Sequence, residues 1–263
     1  METSEAVMLP TSIGSWSFHQ LFASGQMNLF GYLQALKYRY HLRAADIWSG
    51  MIECRDDDYV SMVARVLREE QIAVCHIAVD EARAWDDDPE VRRAHHQVAL
   101  EYLERVGPKW NAKTIRIDMG PRSSDMTAEQ FDGIVERYQE YAKIADAHGM
   151  RIGPQNHYGP TTVAKTFLEV FEAVDHPAFG LVLDVGRWPQ AVADSDTLVA
   201  SSVIHTHFDR QSQGSLLEQK VETIVNAGYR GAWSLEHRSG HDEYAEVASD
   251  LAALQRALVR TRV

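Results

Sequence analysis

RIGPQNH (151–157), LVLDVGR (181–187), VIHTHFD (203–209) and AWSLEH (232–237) are four short apolar runs, and each ends on residues that can bind a metal or move a proton. They recur roughly every 25 to 30 residues, about the length of one strand-plus-helix unit. An apolar run that stops on a polar side chain predicts a buried parallel strand delivering that side chain to its carboxyl end. In barrels built of repeated βα units, chemistry gathers at that end. The spacing therefore predicts that Gln155, Asp184, His207 and Glu236 face one pocket. Gln155 is the odd member, because a carboxylate would be the natural fourth ligand.

Four more strand-like runs lie upstream: SIGSWSF (12–18), RAADIW (43–48), IAVCHIAVD (72–80) and KTIRIDMG (113–120). Most of the eight runs are rich in Ile, Val, Leu and aromatics and are bounded by Gly, Asp or Asn, as buried parallel strands are. Helical spacings separate them, over 27–41, 57–70, 88–106, 127–148, 162–174, 215–227 and 242–260, with a weaker pattern over 189–202. Pro89 follows an Asp cap, and Thr127 with Gln130 has capping-box spacing ahead of a stop at Gly149. Eight strands alternating with helices, with no Gly/Ser linker, predict one uninterrupted (β/α)8 barrel over residues 1–263. A doubly wound sheet is the weaker alternative, since no glycine-rich phosphate loop follows the first run.

The bulk numbers agree with that size. The chain has 263 residues, 45% hydrophobic and 24% charged, which permits a large core. A formal net charge of −12 argues against a nucleic-acid or anionic-membrane partner, both of which want a basic face. Two cysteines, Cys54 and Cys75, imply no disulfide framework. No apolar stretch reaches spanning length and no signal peptide is evident, so a soluble cytoplasmic protein is the expectation.

Each site residue has a bland reading when taken alone. Asp184 could cap a helix, and either His205 or His207 could be a hydrogen-bonded core histidine. An unpaired buried Glu236 would be costly, and one shared cation accounts for all four strand ends better than four separate explanations. Oxygens from Gln, Asp and Glu with one imidazole nitrogen suit a hard or borderline divalent ion: Mn²⁺ first, then Mg²⁺ or Co²⁺, with Zn²⁺ also admitted.

These residues resemble the sugar phosphate isomerase/epimerase superfamily, the xylose isomerase-like TIM barrels. The resemblance covers most of the chain. It rests on Gly228-Tyr229-Arg230-Gly231-Ala232-Trp233-Ser234-Leu235-Glu236, then on His205-Thr206-His207-Phe208-Asp209. Ala45-Asp46-Ile47-Trp48, Asp88-Pro89 with Arg92-Arg93, and Ile115-Arg116-Ile117 with Gly120 add to it. It implies a divalent ion held by a fifth-strand Glu, a sixth-strand Asp, a seventh-strand His and an eighth-strand Glu, roles that fall on Gln155, Asp184, His207 and Glu236. Two departures stand out: Gln155 replaces the fifth-strand Glu, and Arg187 replaces the His of Asp-x-x-His.

Such enzymes move a proton beside a carbonyl through a metal-stabilised enediolate, with carboxylates flanking the substrate. An amide can lend an oxygen but cannot accept a proton near neutral pH. Glu236 and His157 are then the candidate bases, and Arg187 is a permanent cation for a substrate anion or enolate. Arg187 could instead pair with Asp184 or Asp209. Arg116, His19, Trp48, His76 and His205, on other strands, are the candidates for substrate contact.

The expected function is isomerisation or epimerisation of a sugar or keto-sugar, with single-base elimination on an oxidised sugar or 3-oxo-glycoside as the close variant. A metal-free, sugar-binding or partner-dependent barrel is the alternative from another class. A DNA-repair nuclease of the same fold ranks last. A homo-oligomer is left open, because no stripe specifies an interface.

Overall fold

A computed structural model describes residues 10–188, 194–209 and 216–261. Eight strands appear where the apolar runs placed them: β1 (Thr11–Gly14), β2 (Ala44–Trp48), β3 (Ala73–Arg83), β4 (Thr114–Asp118), β5 (Arg151–Gly153), β6 (Leu181–Asp184), β7 (Val203–Phe208) and β8 (Trp233–Leu235). All paired neighbours are parallel, in the order β5-β4-β3-β2-β1-β8-β7-β6. Parallel bridges Ile152–Phe179 and Gln155–Val182 bring β5 against β6 and close the ring. The fold is a (β/α)8 TIM barrel. That closing seam depends on Gly153, where a Cβ would fall 1.6 Å from the Gly180 carbonyl oxygen.

Side chains alternate along each strand, as the two-residue period of a pleated strand requires. Ile13, Ala45, Ile47, Ile77, Ile115, Ile117, Leu181, Leu183, Phe208, Trp233 and Leu235 belong to the buried apolar cluster. The alternate positions, Ser12, Asp46, His76, Thr114, Arg116, Asp118, Asp184, His205, His207 and Ser234, are buried and polar. The apolar core thus packs around the sheet, while polar side chains fill the barrel interior, where they persist only if paired.

The helix starts follow from local chemistry. Asp88 accepts from the Glu90 amide ahead of helix Pro89–Leu100, and Thr127 and Gln130 form the reciprocal capping box of helix Ala128–Ala147. The expected helix over 88–106 widens into a π turn at Glu101–Val106 and runs on to Trp110. The expected helix over 27–41 shortens to Leu29–Gln34, capped by Asn28, before another π segment at Ala35–Arg39. The run over 12–18 stays extended only to Gly14 and then coils tightly over Ser15–Phe18. Part of the weak 189–202 pattern and the start of the 215–227 pattern lie outside the described residues. Ser195–Val199 is helical, and so is Leu217–Asn226. No helix among the described residues is long and apolar enough to cross a membrane.

Candidate active site

The strand ends converge on a cavity of about 210 Å³ at the carboxyl mouth of the barrel. That volume is below the usual range for drug-sized ligands and suits a molecule of monosaccharide size. Trp16 and Trp48 form its apolar wall, edge to face with ring centroids 4.8 Å apart. The rest is ionic or polar: Asp46, Asp80, His157, His207 and Glu236 face Arg116, Arg187 and Arg238.

Gln155, Asp184, His207 and Glu236 do come together. The Gln155 side-chain nitrogen lies 3.0 Å from His207 Nδ1, 3.4 Å from Asp184 Oδ2 and 3.5 Å from Glu236 Oε2. Its oxygen accepts from Arg116 Nη1 at 2.9 Å. Both ends of the amide are therefore assigned by their partners: the oxygen faces a guanidinium and the N–H₂ faces the pocket.

Pro154 gives no N–H to the ladder, yet its carbonyl accepts from Val182 and carries the chain on to the Gln155 bridge. After β6, Gly186 turns at φ +75°, and Arg187 comes back over Asp184, with Nη1 donating to Oδ2 at 2.8 Å. Arg187 also lines the cavity, so the pairing with Asp184 does not remove it from the mouth.

Arg238 was not foreseen. It lies two residues beyond Glu236, and its Nη2 donates closely to Asp184 Oδ2 and reaches Glu236 Oε2 at 3.3 Å; its Nε is 3.4 Å from Asp209 Oδ2. A guanidinium thus stands between two of the expected metal ligands. Charge follows the same logic: Asp184 and Glu236 are matched by Arg187 and Arg238 before any ion is added. The donor set converges, but its arrangement fits a guanidinium and an amide N–H₂, not the expected four-ligand shell around a dication.

Asp46 is the second residue without a role in the sequence reading. It is 2% exposed and accepts at Oδ2 from His205 Nε2 (2.9 Å) and His207 Nε2 (2.8 Å). His76 stacks on His205 with centroids 4.2 Å apart. Asp46, His76, His205 and His207 each offer a ligand atom within 4.8 Å of the others, so this buried group could hold a metal ion.

His76 and His205 are 0% and 1% exposed and do not line the cavity, so neither reaches a substrate there. Their strand positions lie beneath the floor. His19 stacks on Trp16 and bonds Trp16 O at 3.0 Å, outside the cavity lining.

The electrostatics follow from this packing. Burial alone would raise the Asp46 carboxyl, but the His207 and His76 rings and two hydrogen bonds hold it well below the carboxylate range. Burial works against a charged His207, yet Asp46 and Glu236 on either side raise it to about 10. Burial would raise Glu236, but His207, then Arg238 and Arg116, draw it down to about 2. Asp184 moves up, through burial and the Glu236 charge, against the pull of both arginines.

On the opposite wall, His157 Nε2 lies 3.0 Å from Asp118 Oδ2. Asp118 Oδ1 also accepts from the Gln155 backbone N–H at 3.1 Å. Burial would raise Asp118, but Arg116 and His157 hold it well below its ordinary value. Arg116, 5% exposed, is held by Asp80 and by Asp118 at 3.6 Å.

Comparison with known proteins places this geometry. The L-ribulose 3-epimerase structure superposes with a TM-score of 0.75 at 13% identity, covering 97% of this chain and 96% of that one. D-allulose 3-epimerase from Methylomonas sp. gives 0.73 at 15% identity, with 97% and 98% covered. A xylose isomerase-like TIM barrel protein from Mycobacterium smegmatis, solved in complex with magnesium, gives 0.72 at 14% identity, with 99% and 100% covered. At such identities the likeness shows the fold. No curated protein matches by sequence. Residues 52–257, well over half of the chain, match the profile of the xylose isomerase-like TIM barrels, and the chain belongs to that family.

Proposed function

We propose that this protein is an enzyme of the isomerase/epimerase kind that moves a proton beside the carbonyl of a sugar-sized keto compound. The observation that carries the reading is one cavity holding two proton-handling groups, Glu236 and His157, together with three guanidinium groups and two tryptophans. Tryptophan faces and edges suit the C–H surface of a sugar, and guanidinium groups suit the oxygen of a developing enolate. The sugar epimerases of the same fold support the substrate class.

In this reading, Arg187 and Arg238 engage the carbonyl or enediolate oxygens at the mouth. Glu236 is a weak base while Arg238 pairs with it; a substrate oxygen that takes over the guanidinium raises its proton affinity. His157, with Nε2–H donated to Asp118, keeps Nδ1 free to accept or return a proton. Arg116 holds Gln155 and Asp118 in place. Gln155 takes no proton.

The loss of the fifth-strand carboxylate favours a second outcome from the same carbanion: elimination by a single base on an oxidised sugar or 3-oxo-glycoside. Turnover of a panel of ketoses, their phosphates, keto-acids and 3-oxo-glycosides, followed by NMR, tests both. An altered stereocentre or migrated carbonyl supports isomerisation, and an expelled substituent supports elimination. Turnover that survives both Glu236→Gln and His157→Asn refutes the assignment of the bases.

A further inference from the structure

We propose that Asp46, His76, His205 and His207 bind a zinc-class divalent ion beneath the cavity floor, a site that shares only His207 with the strand-end shell that the resemblance implies. Three imidazole nitrogens and one carboxylate oxygen form a donor set for Zn²⁺ or Co²⁺, not for Mg²⁺ or Ca²⁺. The four residues are 0 to 3% exposed, and Asp46 and His207 touch the cavity, so an ion has a way in.

The decisive atom is His76 Nε2. Thr114 Oγ1 donates its proton to Cys75 O at 2.8 Å, so it must accept from His76 Nδ1–H at 2.7 Å. The proton of the neutral ring is thereby placed on Nδ1, and Nε2 carries a bare lone pair. That nitrogen is fully buried and has no hydrogen-bond partner. It is one of the four ligand atoms within 4.8 Å of one another. A ring N–H donated to an outer acceptor, leaving the other nitrogen as the ligand, is how metal-binding histidines are oriented, and here Thr114 Oγ1 is that acceptor.

His205 turns out of its parallel stack on His76 so that both rings point at one ion, and the wider separations among the four ligand atoms, now within 4.8 Å of one another, draw in. Bonds of about 2.0 to 2.2 Å place tetrahedral donors roughly 3.3 to 3.5 Å apart, so the two imidazole–Asp46 contacts of 2.8 and 2.9 Å open by about half an ångström. On binding, His205 and His207 present Nε2 lone pairs and carry their protons on Nδ1. For His207, the Gln155 N–H₂ that lies 3.0 Å from Nδ1 must move aside, and Glu236 Oε2, 3.4 Å away, then receives that bond. Four protein ligands leave no open position, so the ion is a fixed charge under the floor, not a substrate-binding Lewis acid.

The test is titration of chelator-treated, full-length protein with Co²⁺, read by its d–d absorption, and with Zn²⁺, read by ¹⁵N-histidine NMR. One equivalent with a four-coordinate Co²⁺ spectrum and shifts at the His76, His205 and His207 ring nitrogens is expected. Asp184→Asn should bind equally well, whereas His76→Ala and His205→Gln, checked for folding by circular dichroism, should lose at least about tenfold in affinity. If neither His variant folds, the wild-type ¹⁵N shifts alone decide. The proposal is overturned if no ion binds, if only His207 shifts, or if binding needs Asp184 but not His76.

Discussion

Replacing Arg238 by Met keeps most of the stem and removes the charge that bridges Asp184 and Glu236. The Arg238 Nη2–Glu236 Oε2 separation is 3.3 Å. With an effective dielectric constant of about 20, that contact is worth at most about 5 kcal/mol. His207 and Arg116 remain, and Arg238 is 30% exposed in its side chain, so water replaces part of the loss. A net change of roughly 2 kcal/mol moves Glu236 up by between one and two pH units.

Its carboxyl, drawn down to about 2 in the native protein, should then titrate between roughly pH 3 and 4. The sign extends to stability. A depressed carboxyl stabilises the fold above its ordinary value near 4.5 and loses that contribution as pH falls toward 2, so the variant should unfold at higher pH on acid titration. ¹³C NMR of Glu-labelled protein, titrated from neutral pH down through about pH 2, reads the carboxyl directly. Superimposable curves for the two proteins, or a downward shift, would refute the guanidinium-for-metal description of this site.

Other consequences follow from separate contacts. Gly153→Ala drives a methyl into the Gly180 carbonyl and should cost about 3 kcal/mol or more in urea unfolding, or prevent soluble folding. His237 bonds Asp250 and Glu246, each at 2.9 Å, and the Asp250 bond raises its pKa. Its contribution is full below pH ~6.5 and lost as pH rises through the folded value, so His237→Asn should destabilise by about 2 kcal/mol at pH 5.5 and by much less at pH 9. Asp118→Asn leaves His157 without its anionic partner and should slow proton transfer roughly 10- to 100-fold with little effect on substrate affinity, read as kcat against KM. Gln155→Glu combined with Arg238→Met restores a third carboxylate and removes a cation, and should bind Mn²⁺ at the strand ends more tightly than the parent, measured by electron paramagnetic resonance.

Much of this site was legible before any coordinates. Apolar runs stopping at Gln155, Asp184, His207 and Glu236 placed four side chains at one barrel mouth because strand period and strand direction are both encoded in pattern. Gln155 and Arg187 stood out as substitutions, and the structure shows them acting together, one removing a negative charge and one adding a positive charge beside Asp184. Arg238 escaped notice because EHRS follows the end of β8, where no periodicity says which way a side chain turns. Asp46 sits inside AADIW, where alternation alone marks it as inward-facing, but only folding shows that it meets β7 from the other side of the ring. The same limit applies to His19, His76 and His205: a strand-end histidine reads alike in sequence whether it lies in the cavity, behind Trp16 or under the floor.

The central claim is that Glu236 and His157 move a proton beside a sugar carbonyl, and solvent hydrogen exchange tests it most directly. Incubating the protein in D₂O with the keto-sugar panel and reading ¹H NMR should show deuterium entering only at the carbon next to the carbonyl, with exchange abolished by Glu236→Gln and His157→Asn together. Isomerised or epimerised product without deuterium, or exchange that persists in the double variant, would contradict it.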